Sequence, residues 1–105
     1  MTLKTHKKKR IEIMIEAAAL HRIIEVLDRF GVTGYTVLPA LAGRGMSGDW
    51  QRDDVFGDTA RIVSVVCITD PSKEENVLLA TKGIVERYIG IVSVCDVQVL
   101  RSEHF

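Results

Sequence analysis

Ile11, Ile13 and Ile15 alternate with Glu12, Met14 and Glu16, a period of two that predicts a strand with one buried face. The period then changes. Leu20, Ile23, Ile24, Leu27 and Phe30 recur at three- and four-residue steps, which predicts a helix stopped by Gly31. A second strand is expected over about Tyr35 to Leu38, with Pro39 restricting further pairing. A Val- and Ile-rich third strand is expected from roughly Ala60 to Thr69. Asp70-Pro71 is a helix-start signal, and Ser72 with Glu75 offers a capping box one register later. Val77, Ala80, Thr81, Ile84 and Tyr88 share one face of that second helix, Gly90 closes it, and Ile91 to Leu100 make a fourth strand.

This order, β-α-β-β-α-β, is the split βαβ or ferredoxin-like arrangement, an α+β fold with both helices on one face of a four-stranded sheet. The other face needs a cover. In the third strand Ile62, Val66 and Ile68 alternate with Val63, Val65 and Cys67; in the fourth, Ile91, Cys95 and Val97 alternate with Val92 and Val94. Both faces of these strands are therefore apolar, and a soluble monomer rarely leaves such a patch open. The expectation is an oligomer packed sheet to sheet. No linker or internal repeat divides the chain, so residues 1–105 read as a single domain.

Composition narrows the function classes. A length of 105 residues allows one modest core, and a net charge of zero favours neither nucleic acid nor acidic partners. The charge is uneven, with Lys4, Lys7, Lys8, Lys9 and Arg10 clustered in a start free of acids. Residues 1–9 read as a solvated basic tail rather than a nucleic-acid arm, because no aromatic side chain is interleaved to stack on bases. No stretch approaches the ~18 apolar residues of a membrane span. Glu12 and Glu16 interrupt what would otherwise imitate a signal peptide, which points to the cytoplasm. Cys67 and Cys95 lack metal-ligand or CxxC spacing and read as buried small hydrophobes. His6, His21 and His104 show no metal spacing, and no nucleophile–base pair is legible.

The candidate chemistry lies between the second and third strands. Residues 40–59 form a connection far longer than the usual ~4–6 residues, and such loops are usually functional or disordered. Gly43-Arg44-Gly45-Met46-Ser47-Gly48 formally matches the dinucleotide fingerprint, but Asp49, Trp50 and further acids follow where an apolar helix is needed. A Walker loop fails as well, since Asp49 stands where lysine is required. Two readings stand: a flexible turn, or an anion site made by Arg44 and loop amides. Trp50 in a polar tract either folds back onto its own subunit or anchors a partner. Arg52, Asp53, Asp54 and Asp58 each read most simply as solvated charges.

Gly31-Val32-Thr33-Gly34-Tyr35-Thr36-Val37 resembles the first-helix exit and second strand of the PII signalling superfamily. Tyr88-Ile89-Gly90-Ile91-Val92-Ser93-Val94-Cys95 is similar to the PII-like bicarbonate-transport regulators of the SbtB type, and the chain as a whole, in element order and loop position, resembles the carboxysome-associated (CPII) type. The resemblance implies a homotrimer that binds adenine nucleotide in clefts between neighbours, with the long connection as the T-loop that contacts target proteins. It places Gly34, Tyr35, Thr36 and Val37 on the cleft wall and Gly43, Arg44 and Gly45 near the phosphates. It places Gly90, Ile91 and Val92 on the other subunit's side, with Arg101 near a basic position that meets phosphate.

Arg44, Gly45 and Ser47 are the candidates for holding bicarbonate, a small planar anion suited to a guanidinium or to loop amides. Trp50 and Arg52 are the candidates for meeting a partner. PII proteins proper carry a Gly-Asp-Gly-Lys turn where this chain has Arg87-Tyr88-Ile89-Gly90, and the lost lysine favours ADP or AMP over ATP. The T-loop tyrosine of some PII proteins has no counterpart between Ala40 and Ala60, and the cysteine pair of many SbtB proteins is missing. The reading that results is a non-enzymatic sensor of adenine nucleotide, with bicarbonate as a second ligand. It would regulate inorganic-carbon uptake, through a bicarbonate transporter or other membrane transporter, or carboxysome function. The alternatives are a nitrogen-regulatory PII protein and a CutA-like metal-handling trimer on the same fold. A small acylphosphatase-like enzyme would need an asparagine beside Arg44, and Asn76 belongs to the predicted second helix.

Overall fold

The computed structural model describes residues 3–45, 48–51 and 61–105, with 48–51 described by backbone alone. The main elements are β1 (His6–Glu16), α1 (Leu20–Arg29), β2 (Tyr35–Pro39), β3 (Ala42–Gly45), β4 (Gly48–Gln51), β5 (Ile62–Thr69), α2 (Glu74–Val85) and β6 (Gly90–Val99). Short 3₁₀ turns, Ala17–Ala19 and Pro71–Lys73, lead into the two helices. Four strands form an antiparallel sheet in the order β2-β5-β1-β6, and β3 with β4 forms a separate two-stranded sheet. The expected α+β ferredoxin-like architecture is present.

The core follows from the alternation in β1. Ile11, Ile13 and Ile15 are wholly buried and pack with Ile23 and Leu27 of α1, Val77 of α2, and Val63, Val65 and Cys67 of β5. The register carries that parity across the sheet: Val37, Val65, Ile13 and Val92 stand in one cross-strand row beneath the helices. The intervening residues face the other way. Leu38, Ser64, Met14 and Ile91 form one row of that open face, and Thr36, Val66, Glu12 and Ser93 the next. On it Ile91 is 69% exposed, Leu38 50% and Met14 38%, the uncovered apolar surface that the strand pattern anticipates. Ser64 Oγ donates to Glu12 Oε2 at 2.8 Å, and an Arg10 nitrogen lies 3.8 Å from Glu12 Oε1, so the face also carries a polar strip.

Gly31 ends the first helix as expected. Its φ of 73° lets its N–H donate to Asp28 O (3.2 Å) while the Val32 N–H donates to Leu27 O (2.9 Å), the paired bonds of a Schellman stop. Asp70 caps the 3₁₀ turn that leads into the second helix, its Oδ2 accepting from the Ser72 N–H (3.3 Å) and from the Ser72 hydroxyl (2.6 Å); the alternative box built on Ser72 is not used. Gly90 does not close that helix, which ends at Val85; it opens β6 instead.

Two expectations are corrected here. Residues 6–9 are not a solvated tail, because β1 starts at His6. Acids from distant parts of the chain pair with two of its lysines. Buried Lys8 donates to Asp70 Oδ1 at 3.1 Å, and Lys9 pairs with Asp96 and lies 3.5 Å from Glu74. Cys95 is exposed on the edge strand β6, while Cys67 is buried and its thiol is pushed up by desolvation.

Asp70 gives the fold an acid-sensitive joint. The Ser72 hydroxyl, and after it Lys8, holds its carboxyl at about 2, down from an ordinary 3.8. A depressed carboxylate adds stability that is present above its unfolded pKa and is lost as pH falls through the folded one. Thermal melts of the wild type are therefore expected to lose midpoint between about pH 4 and about pH 2, and Asp70→Asn is expected to flatten that part of the profile. Parallel profiles for the two proteins would show that the joint does not matter.

Candidate functional site

The sequence-predicted residues fall into three places. Gly34, Tyr35 and Thr36 border a shallow groove of about 360 Å³ at the β2 edge, lined also by Val66, Cys67, Ile68, His104 and Phe105. Gly90, Ile91 and Val92 open β6, at the opposite edge of the sheet. Gly43, Arg44 and Gly45 lie on β3, outside the main sheet.

The first two places cannot meet within one chain. Strands β5 and β1 stand between β2 and β6, which at ~4.8 Å per strand separates the two edges by about 14 Å. A cleft that uses both edges needs a second copy of the chain. Both edges belong to the same level of the sheet, because Val37 and Val92 share a row and Pro39 shares the next but one with Gly90. Pro39 is tolerated inside β2 because that strand is at the sheet edge, where a missing N–H breaks no ladder on the outer side. Gly90 is required by close approach: a Cβ there would lie 2.9 Å from Met14 O and 3.1 Å from Ile15 Cγ1. Gly90→Ala is accordingly expected to cost roughly 1–3 kcal/mol in urea unfolding, by forcing β6 away from β1; an unchanged midpoint would contradict that packing.

Residues 42–45 are neither an irregular turn nor a helix-opening glycine loop. They form a strand paired with β4, Gly43 opposite Trp50, Arg44 opposite Asp49 and Gly45 opposite Gly48. This strand-to-strand continuation removes the dinucleotide fingerprint, which demands a helix at that point. The Arg44 side chain is exposed. Ser47 and Arg52 lie outside the described residues, as does the Trp50 side chain. Arg101 follows β6 and is exposed.

Other residues at the groove escaped the sequence reading. Thr33 Oγ1 donates to His104 O at 2.6 Å, and Lys73 Nζ donates to Gly31 O at 2.6 Å and to Phe105 O at 3.0 Å. His104 has φ 74°, a left-handed conformation that costs a residue with a Cβ roughly 1–2 kcal/mol. No local pattern marks these contacts, since each joins segments tens of residues apart. Among the described residues no group of three or more His, Cys, Asp or Glu side chains is placed to hold a metal ion. Among them, too, no helix is long and apolar enough to cross a membrane.

Residues 8–104 match the profile of the family described as Nitrogen regulatory protein P-II. The chain belongs to the P-II family. Solved P-II-like structures agree in fold. A PII-like protein from Thiomonas intermedia K12, CPII, bound to ADP, AMP and bicarbonate, superposes with a TM-score of 0.86 at 28% identity, over 95% of this chain and 94% of that one. The same Thiomonas protein bound to ADP and bicarbonate gives 0.83 at 29% identity, over 95% of both chains. A putative PII-like signalling protein from Thermus thermophilus gives 0.77 at 23% identity, over 97% and 98%, a likeness of fold alone. No curated protein matches the sequence. Within the P-II frame the long connection is the T-loop, and its described part is the β3–β4 hairpin.

Proposed function

We propose that this P-II protein is a regulatory homotrimer that binds adenine nucleotide, ADP or AMP in preference to ATP, together with bicarbonate in clefts between subunits. Its T-loop carries that state to a partner controlling inorganic-carbon uptake or carboxysome function, by binding and without a reaction, in the cytoplasm. The observation that carries this reading is the likeness, over 95% of the chain, to a Thiomonas protein bound to ADP, AMP and bicarbonate. The opposed placement of Gly34–Val37 and Gly90–Val92 supports it, because only neighbouring copies can bring those edges to one ligand. Arg44 on the hairpin supplies a guanidinium suited to phosphate or bicarbonate, with Gly43 and Gly45 beside it. Gly45, Ser47 and Arg101 are the remaining anion contacts of this proposal, and Trp50 and Arg52 its partner contacts.

A nitrogen-signalling role is the second reading, favoured by the description of the family. Carbon takes precedence because two structures, at 28% and 29% identity, hold bicarbonate, whereas a Bacillus subtilis GlnK–ATP complex is only 16% identical.

Titration calorimetry with ADP, AMP and ATP, each with and without bicarbonate, tests the proposal. Binding of ADP or AMP that tightens with bicarbonate is expected, and no heat with any nucleotide would end it. Arg44→Ala is expected to weaken ADP binding by about tenfold, the loss of roughly one charge-assisted hydrogen bond, while Trp50→Ala changes it little. Equal affinities for the two variants would take Arg44 out of the site.

A further inference from the structure

β1 ends on Glu16, at the level where the chain leaves β2 for the β3–β4 hairpin. Glu16 stands opposite Ile62 of β5, and the Ala40 N–H donates to Ile62 O (3.0 Å), so Ala40, Ile62 and Glu16 share one row. On its other side Glu16 holds Ile89, the residue before β6. The Glu16 N–H donates to Ile89 O (3.3 Å), and Glu16 Oε1 accepts from the Ile89 N–H (2.7 Å). The Ile89 side chain is 67% exposed and does not anchor the turn itself. Glu86 and Arg87 bond back into α2, their N–H groups donating to Lys82 O (3.1 Å) and Ile84 O (3.0 Å). The turn therefore joins the sheet through Glu16 and through the close packing of Gly90 on Met14 and Ile15.

We propose that Glu16 is a positioning and selecting residue of the nucleotide site: its carboxylate sets the turn that presents Gly90–Val92, and its charge, at the root of the hairpin connection, disfavours each added phosphate. The proposal rests on the nucleotide reading above and gives a cause for its preference of ADP or AMP over ATP. The two roles use different properties of one side chain. Positioning needs an acceptor oxygen, which a carboxamide keeps. Selection needs a charge, which a carboxamide lacks. Each further phosphate adds negative charge at the end of the sheet where Gly43, Arg44 and Gly45 stand as the proposed anion contacts. A like charge at the same end repels it, and more strongly where neighbouring copies keep water and salt out of the cleft.

The test combines calorimetry with AMP, ADP and ATP and hydrogen exchange of the full chain without nucleotide, on the wild type, Glu16→Gln and Glu16→Ala. Glu16→Gln is expected to bind AMP within about twofold of the wild type and to gain about five- to tenfold for ATP relative to AMP. Glu16→Ala is expected to weaken AMP binding by about tenfold and to speed exchange of the Ile89 amide, which loses its acceptor. In Glu16→Gln that amide is expected to exchange as in the wild type. An unchanged ratio of ATP to AMP affinity in Glu16→Gln overturns the selecting role. An Ile89 amide that stays protected in Glu16→Ala, with AMP affinity intact, overturns the positioning role. Either result leaves the nucleotide reading standing. If the wild type binds no nucleotide, that reading and the selecting role fall together, while exchange at Ile89 still decides whether Glu16 holds the turn.

Discussion

Ile91→Asp is expected to leave the chain folded but monomeric in sedimentation, and to abolish ADP binding along with assembly. Ile91 sits in the row that crosses the open face from Leu38 through Ser64 and Met14. At 69% exposure it contributes nothing to the core of its own chain, so the substitution spares folding. A carboxylate in the middle of an apolar contact loses its hydration without gaining a partner, a cost of several kcal/mol at each copy of the interface. Leu79→Asp is the control. Leu79 is 63% exposed on α2, on the helical side of the sheet, and changing it is expected to leave assembly intact. The link to ligand binding is geometric: β2 and β6 are opposite edges of one sheet, so a lone chain offers only half a cleft. A stable oligomer of Ile91→Asp would remove the open face from the assembly.

The fold was legible where the sequence pattern is local and periodic. The isoleucines of β1, the three-four spacing of α1, the Gly31 stop and the Asp70-Pro71 start each act within a few residues of themselves, and the structure keeps all four. What escaped depends on partners far along the chain. Lys8 and Lys9 read as a solvated run because nothing near them is acidic; Asp70, Glu74 and Asp96 reach them only once β1 lies between its neighbours. The β3–β4 hairpin escaped for another reason. Glycine and arginine carry little strand preference, so Gly43-Arg44-Gly45 resembles a loop until β4 pairs with it. Of the candidate site, motif resemblance pointed to the β2 edge and the start of β6, which the structure sets at opposite edges of the sheet. The Thr33, Lys73, His104 and Phe105 contacts were not legible, because main-chain oxygens have no signature in a sequence.

Ile13→Ala is expected to lower unfolding stability by about 2–5 kcal/mol, a large share of the roughly 5–15 kcal/mol typical of a domain. Ile13 is fully buried, and β1 has hydrogen-bonded neighbours on both sides, β5 and β6. A strand held in that way cannot shift to fill the space that three lost carbons leave, so most of the cavity term is retained. Cys95→Ala, on the exposed edge strand, is expected to change stability by less than about 0.5 kcal/mol. The consequence for the site is specific. Val37, Val65, Ile13 and Val92 share one row, so Ile13 helps to set the spacing between the two edges that neighbouring copies must align. Urea unfolding monitored by circular dichroism measures the first effect. Calorimetry with ADP at a temperature where the variant is still folded measures the second, with weaker binding expected although residue 13 has no exposed surface of its own. A loss under about 1 kcal/mol would mean that the sheet relaxes around the cavity, and that β1 is not the rigid spacer between the edges.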